Sequence, residues 1–176
     1  EDKVAMASIM NDLAENCYLP ANKILFEQLK KEKGKFRVAF SISGTTLELF
    51  EEFRPDLIKS FRQLVQTGCV EILGETFYNS LSWLHSKTEF DRQVKKHDAL
   101  IKEMFDYEPV VFRNTELIYD NELAKHVAVM GYKGLMTDGN QNILKGRSPN
   151  QAYAAPDNGD FGILLRNAEL SEDISC

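Results

Sequence analysis

Apolar and polar positions along the chain follow two periods in turn. Over residues 4–15, Val4, Met6, Ile9, Met10 and Leu13 recur at helical spacing, and over 20–33 so do Ile24, Leu25, Phe26 and Leu29. Pro20 suits a first helical turn and Gly34 a helix end. Residues 36–42 switch to period two: Phe36, Val38, Phe40 and Ile42 share one face, and Arg37, Ala39 and Ser41 the other. That alternation predicts a strand. A helical pair over 45–53 and 55–66 follows, stopped by Gly68, and 69–73 reads as a second strand. Ser86 and Glu89 form a capping box, in which the hydroxyl accepts from a free backbone N–H and the Glu reaches back. It opens a helix to about Phe105 with Phe90, Val94, Leu100, Ile101 and Met104 as anchors. A third strand over 110–113, a helix over 121–130 ended by Gly131 and a fourth strand over 133–137 complete the regular part.

Strand–helix repetition predicts an α/β fold of parallel strands joined by right-handed helical crossovers. An open doubly wound sheet and a barrel both fit. After Asp138 the texture changes. Residues 140–160, rich in Asn, Gly, Pro and Ser, read as loop with a short extended piece at 153–155, and 161–166 as a fifth strand. No internal repeat or linker divides residues 1–176.

Composition narrows the function classes. Of 176 residues, 43% are apolar and 27% charged, which excludes a wholly disordered chain. Lys and Arg number 21 against 27 Asp and Glu, a net charge of −6 that argues against nucleic acid as a partner. No apolar run approaches the ~18 residues of a membrane span, so no membrane partner is expected. The opening Glu1-Asp2-Lys3 does not resemble a signal peptide, which makes a cytoplasmic location the expectation. Cys17, Cys69 and Cys176 are too scattered for a disulfide framework or zinc knuckle, and His85, His97 and His126 show no metal-binding spacing. No metal is expected. Oligomeric state leaves no mark in the pattern.

In parallel α/β folds, ligands meet the carboxyl ends of the strands. Here those ends run into Ser41-Ile-Ser-Gly44, Gly74-Glu-Thr-Phe-Tyr-Asn79, Asn114-Thr-Glu-Leu-Ile-Tyr119 and Thr137-Asp-Gly139. Glu75, Glu116 and Asp138 could converge on one pocket, with Tyr78, Trp83 and Tyr119 nearby. Rings stack on the apolar faces of pyranoses while carboxylates and amides pair with hydroxyls, so the set suits a sugar. Hydrolysis of a glycosidic bond needs two carboxyl groups, ~5–5.5 Å apart for retention or ~6.5–9.5 Å for inversion. Plainer readings stand beside this one. Glu116 could cap the helix near Asp120 or pair with Arg113, Trp83 and Tyr78 could be packing residues, and Asp138-Gly139 is a common turn pair.

Four segments carry a resemblance: Asn16-Cys-Tyr-Leu-Pro-Ala-Asn-Lys23, Phe40-Ser-Ile-Ser-Gly44, Thr67-Gly-Cys-Val-Glu-Ile-Leu-Gly-Glu-Thr-Phe-Tyr78 and Val111-Phe-Arg-Asn-Thr-Glu-Leu-Ile-Tyr119. In order and spacing they resemble the bacterial α-amylase branch of glycoside hydrolase family 57. The resemblance implies part of a (β/α)7 barrel, with residues 1–176 a partial catalytic domain. It implies cleavage of α-glucans such as starch, glycogen or maltodextrin, with retention, through a covalent glycosyl-enzyme. By motif the nucleophile falls on Glu116. Glu75, Tyr78 and Asn79 fall among the subsite residues, and Trp83, Arg113, Asn114, Tyr119 and Asp138 complete the expected substrate contacts. No cofactor is implied, since carboxyl groups and water suffice; the partner is an α-glucan or maltooligosaccharide.

The chain also departs from the family pattern. The His-Gln-Pro triplet of the first strand is absent, and neither Asp138 nor Asp173 matches the acid/base motif. Arg113 stands where related transferases carry an aromatic residue, and Asn79 where relatives often show His or Glu. One carboxylate cannot both attack and protonate the leaving oxygen, so this chain alone is expected to be inactive. A 4-α-glucanotransferase or branching enzyme shares the same intermediate. A polysaccharide deacetylase-like barrel and a non-catalytic carbohydrate-binding protein are the remaining alternatives.

Overall fold

The computed structural model describes residues 3–139, 141–156 and 158–175; Glu1, Asp2, Asn140 and Cys176, named above, lie outside that set. Helix α1 (Lys3–Leu13), a π-helical segment (Ala14–Tyr18) and α2 (Leu19–Glu32) open the chain. The sequence predicts two helices divided near Pro20, but the structure joins them, with Tyr18 and Leu19 both helical. Pro20 has no N–H for the carbonyl four residues back, where an α-ladder would fail. A wider π turn, with Leu19 N–H on the Ala14 carbonyl, carries the chain past that point. The helix ends where Lys33 (φ 46) and Gly34 (φ 89) turn left-handed.

Strand β1 (Val38–Phe40), α3 (Gly44–Phe53), α4 (Pro55–Val65), β2 (Val70–Ile72), α5 (Ser82–His85), α6 (Lys87–Phe105) and β3 (Val111–Arg113) follow. Then come a 3-10 turn (Thr115–Leu117), α7 (Asn121–Val129), β4 (Gly134–Asp138), α8 (Gln141–Leu144), β5 (Tyr153–Ala155), β6 (Asn158–Arg166) and α9 (Ala168–Ser175). The period-two run over 36–42 predicts a longer β1. Beyond Phe40 the backbone leaves the ladder to place Ser43 at the α3 N-cap, where its side chain accepts from Thr46 N–H. Residues 140–160, expected as loop with a short extended piece at 153–155, hold that piece as β5 and also α8 and the start of β6. Cross-strand pairing of Tyr153 with Ile163 and Ala154 with Gly162 stabilises that hairpin, which composition does not reveal.

The strands lie in the order β1-β2 and β3-β4-β6-β5, all parallel except β5. Gly74 joins the two groups by a parallel bridge to Phe112: its N–H donates to the Val111 carbonyl at 2.9 Å, and its carbonyl accepts from Arg113 N–H at 2.8 Å. A Cβ at Gly74 would stand 2.3 Å from the Tyr132 hydroxyl, so any side chain here must displace the Tyr132 ring. The outer edge of β1 pairs with no described strand.

Two cores hold the layers together. One gathers Leu47, Phe50, Leu57, Phe61, Leu64 and Ile72 with Ile101, Met104 and Phe105. The other gathers Trp83, Phe90, Val94, Phe112, Leu123, Leu135 and Phe161. Helix α6 contributes to both, its first half to the second core and its last turn to the first. Its capping box is half formed: Ser86 Oγ accepts from Glu89 N–H at 3.3 Å, while the Glu89 carboxylate turns to Arg92 and Gln93 instead.

Candidate active site

The carboxyl end of β2 delivers Glu75 into the molecule. Its side chain is 3% exposed, an uncommon placement for a lone carboxylate. Ser41 Oγ donates to Oε1 at 3.2 Å, and His97 Nε2 stands 4.0 Å away. Burial pushes the Glu75 carboxyl above its ordinary range; His97, the Ser41 hydrogen bond and Arg113 pull the other way without cancelling the shift. His97 is fully buried, with Nε2 at 3.0 Å from the Ile42 carbonyl, which can only accept. Nε2 therefore carries the proton, and Nδ1 has no hydrogen-bond partner among the described residues. Asp98, 3.9 Å from that nitrogen, accepts from the Tyr132 hydroxyl at 2.8 and 2.9 Å.

Glu75, Asn79 and Arg113 line one cavity of about 410 Å³. Ser41, Ser43 and Thr46 add hydroxyls, and Tyr18, Phe40, Phe50 and Phe61 form its aromatic side. Tyr18 meets Phe50 edge-on at 5.3 Å, and Phe40 meets Phe61 at 5.2 Å, which fixes that wall. Tyr18 and the serines escape a search confined to acidic and aromatic strand ends. The Ser41 run-out signals the serines, and the first resemblance segment, residues 16–23, holds Tyr18.

Beyond β3 the chain makes the 3-10 turn that carries Glu116. Glu116 and Leu117 both sit at φ 54, a left-handed conformation that is costly for residues with a Cβ. Such a state holds only where neighbours over-determine it, at ~1–3 kcal/mol each. Asn114 Nδ2 donates to the Ile118 carbonyl at 3.2 Å, and Thr137 Oγ1 donates to the Leu117 carbonyl at 2.8 Å. Thr76 and Thr115 hydroxyls meet at 3.0 Å beneath the turn. The Glu116 side chain is exposed and has no hydrogen bond or ion pair among the described residues. It neither caps α7, which Asp120 does through Leu123 N–H at 2.7 Å, nor pairs with Arg113.

Tyr119 and Asp138 line a second cavity, of about 460 Å³, at the ends of β4 and β6. Glu75, Glu116 and Asp138 therefore do not share one pocket, as the sequence suggests they could. The run-out of β2 faces α2 and α3, whereas that of β4 faces the excursion ending in β5. Glu116 falls between them in the chain: Arg113 lines the first cavity and Leu117 the second. Three residues expected to touch substrate stand elsewhere. Trp83 is 3% exposed, packs on Phe90 and His126, and donates Nε1–H to Asp120 at 2.9 Å, so it is a core residue and not a sugar platform. Asn114 is 2% exposed and braces the Glu116 turn, its Oδ1 without a partner among the described residues. Tyr78 is exposed but lines neither cavity; its hydroxyl accepts from Lys96 at 3.0 Å. Among the described residues no group of three or more His, Cys, Asp or Glu is placed to hold a metal ion, and no helix is long and apolar enough to cross a membrane.

Parallel strands joined across the Gly74 bridge, polar at their carboxyl ends and linked by helices, define part of a (β/α)7 barrel domain. The chain belongs to glycosyl hydrolase family 57, whose profile matches residues 2–175. A Methanocaldococcus jannaschii protein provisionally named an alpha-amylase is 40% identical over 167 residues, covering 94% of this chain and 35% of that protein. The chain thus spans about a third of that relative's length. The 4-alpha-glucanotransferase of Thermococcus litoralis superposes with a TM-score of 0.77 at 22% identity, covering 94% of this chain and 26% of that one. A branching enzyme of Thermococcus kodakaraensis gives 0.74 at 12% identity, over 96% of this chain and 44% of that one. At those identities the two structures speak for the fold alone.

Proposed function

We propose that this chain is the nucleophile-bearing part of a retaining, α-glucan-active glycoside hydrolase of the α-amylase kind. The observation that carries the reading is the Glu116 turn. A braced, left-handed backbone at a strand's carboxyl end holds up a carboxylate that no group among the described residues engages. In this reading the Glu116 carboxylate attacks an anomeric carbon and the glucosyl bond to the leaving sugar oxygen breaks. A second carboxyl group protonates that oxygen. Water then releases the sugar; a sugar hydroxyl in its place makes the same intermediate a transferase's. Glu75, with Ser41 and Arg113, forms the polar floor of the first cavity and pairs with sugar hydroxyls, while Tyr18 and Phe40 meet apolar sugar faces.

The test is maltoheptaose cleavage by the longest natural polypeptide that carries this chain. Glu116→Gln lowers turnover by about 10³-fold or more, in the manner of nucleophile deletions, with binding retained. Near-normal turnover by that variant overturns the assignment. Products longer than the substrate would mark transfer.

A further inference from the structure

Glu89 leaves the α6 capping box half formed because its carboxylate has another partner. Arg92 and Gln93 pull that carboxyl down to about 2, so it is an acceptor at ordinary pH. Oε1 accepts from Gln93 Nε2 at 2.7 Å. A carboxylate only accepts, so this contact fixes the Gln93 amide with its oxygen toward the run-out of β2. There Gln93 Oε1 accepts from Ser80 Oγ at 2.8 Å and from Tyr78 N–H at 3.4 Å. Gln93 is 4% exposed and lines neither cavity.

Ser80 N–H donates in turn to Thr76 Oγ1 at 3.0 Å, and Thr76 Oγ1 stands 3.0 Å from Thr115 Oγ1, both hydroxyls being buried. Counting protons gives that last contact a direction. Thr115 Oγ1 has no other hydrogen-bond partner among the described residues, and a buried hydroxyl proton needs an acceptor. Thr115 therefore donates to Thr76, and Thr76 passes its own proton to the Ser80 carbonyl at 3.4 Å. Thr76 Oγ1 accepts twice and donates once, its whole capacity. A hydrogen-bonded route thus runs from α6 through Gln93, Ser80, Thr76 and Thr115 to the residue before Glu116. Asn114 and Thr137 hold the carboxyl side of the Glu116 turn, at Ile118 and Leu117; the Thr115 hydroxyl holds its amino side. Because Thr76 also follows Glu75 in the chain, one hydroxyl fixes the two carboxylate-bearing run-outs against each other.

We propose that Thr76 and, through Ser80, Gln93 are positioning residues for Glu116, setting the aim of its carboxylate without touching sugar. The task of that carboxylate rests on the nucleophile reading above; the hydrogen-bonded route does not.

Two readouts on the longest natural polypeptide that carries this chain test the proposal. One is maltoheptaose turnover. The other is hydrogen exchange in the peptide holding Leu117 and Ile118, whose N–H groups donate to the Asn114 and Thr115 carbonyls at 3.0 and 3.2 Å. Thr76→Val keeps the branched shape and removes the hydroxyl. It should lower kcat about tenfold or more with KM within about twofold, since a misplacement of ~1 Å at the reacting group costs ~10²-fold. Exchange in that peptide should speed up about tenfold while α7 exchanges as in the parent. Thr76→Ser should restore both readouts. Gln93→Met, further along the route, should show the same pattern at smaller size, and it decides the matter if Thr76→Val does not fold. Parent-like kcat in Thr76→Val, a rise in KM alone, or an equal loss in Thr76→Ser overturns the proposal. Turnover kept by Glu116→Gln, with exchange faster in Thr76→Val, overturns the nucleophile reading and leaves the bracing of the turn standing. Unchanged exchange in Thr76→Val overturns the proposal whatever Glu116 does.

Discussion

Glu116 and Glu75 are two carboxylates treated in opposite ways. Glu116 keeps its side chain in solvent and places strain in the backbone; Glu75 keeps a relaxed backbone and gives up solvation. Glu116→Gly should therefore cost no stability. Relief of ~1–2 kcal/mol of left-handed strain outweighs or balances the ~0.5–1 kcal/mol entropy cost of glycine. Urea unfolding should show a midpoint equal to or above the parent's; a clear drop would mean the side chain supports the fold. For Glu75, burial raises the folded pKa above the ordinary value of 4.5. The folded state then binds the proton more tightly than the unfolded one, so stability is full below the unfolded pKa and falls as pH rises through the folded pKa. Glu75→Gln should melt like the parent in acid and above it at neutral pH, with the gain opening as pH climbs past 4.5. A gain that shrinks with rising pH would contradict this. Sequence identified Glu75, Glu116 and Asp138 as noteworthy because polar residues at strand ends are readable in one dimension. Which cavity each faces was not readable, since that depends on which helix the chain meets next. Which of its two readings Trp83 takes, packing residue or sugar contact, was not readable for the same reason: its partners, Phe90, His126 and Asp120, become neighbours only in three dimensions.

At the scale of elements, the seam at Gly74 and the start of α7 carry the arrangement. Gly74→Ala would force Tyr132 away from the bridge that joins β2 to β3. Overpacking of that kind costs about 1–3 kcal/mol, a fall in melting temperature of a few to ten degrees for a chain of this size. An unchanged melting temperature would show that Tyr132 can swing aside freely. Asp120 both caps α7 and accepts from buried Trp83. Asp120→Ala should cost about 1–3 kcal/mol, from a lost cap and an unsatisfied indole N–H, and Asp120→Asn should recover the larger part. Calorimetric unfolding of the pair checks both. The helices α3, α4, α6 and α7 were legible because apolar stripes and Gly or Pro punctuation set their bounds locally. The hairpin of β5 and β6 was half legible: its strands showed, but their pairing depends on register that composition does not carry. The π turn before Pro20 was hidden because period alone does not tell a break from a widened turn.

Taken whole, the molecule is an open run of barrel strands whose carboxyl ends present two cavities with Glu116 between them in the chain. None of its residues matches the acid/base motif expected from the family resemblance, so the 176-residue chain should release no reducing sugar from maltooligosaccharide. The role proposed for Glu116 can still be tested in this chain, because fluoride departs from an anomeric carbon without a proton donor. The most direct measurement is mass spectrometry of the chain after exposure to a fluorinated α-glucosyl fluoride that forms a long-lived glycosyl-enzyme. Peptide mapping should find one fluoroglucosyl unit attached at Glu116, and none in the Glu116→Gln variant. A label on Glu75 or Asp138, or none on any residue, would contradict the account.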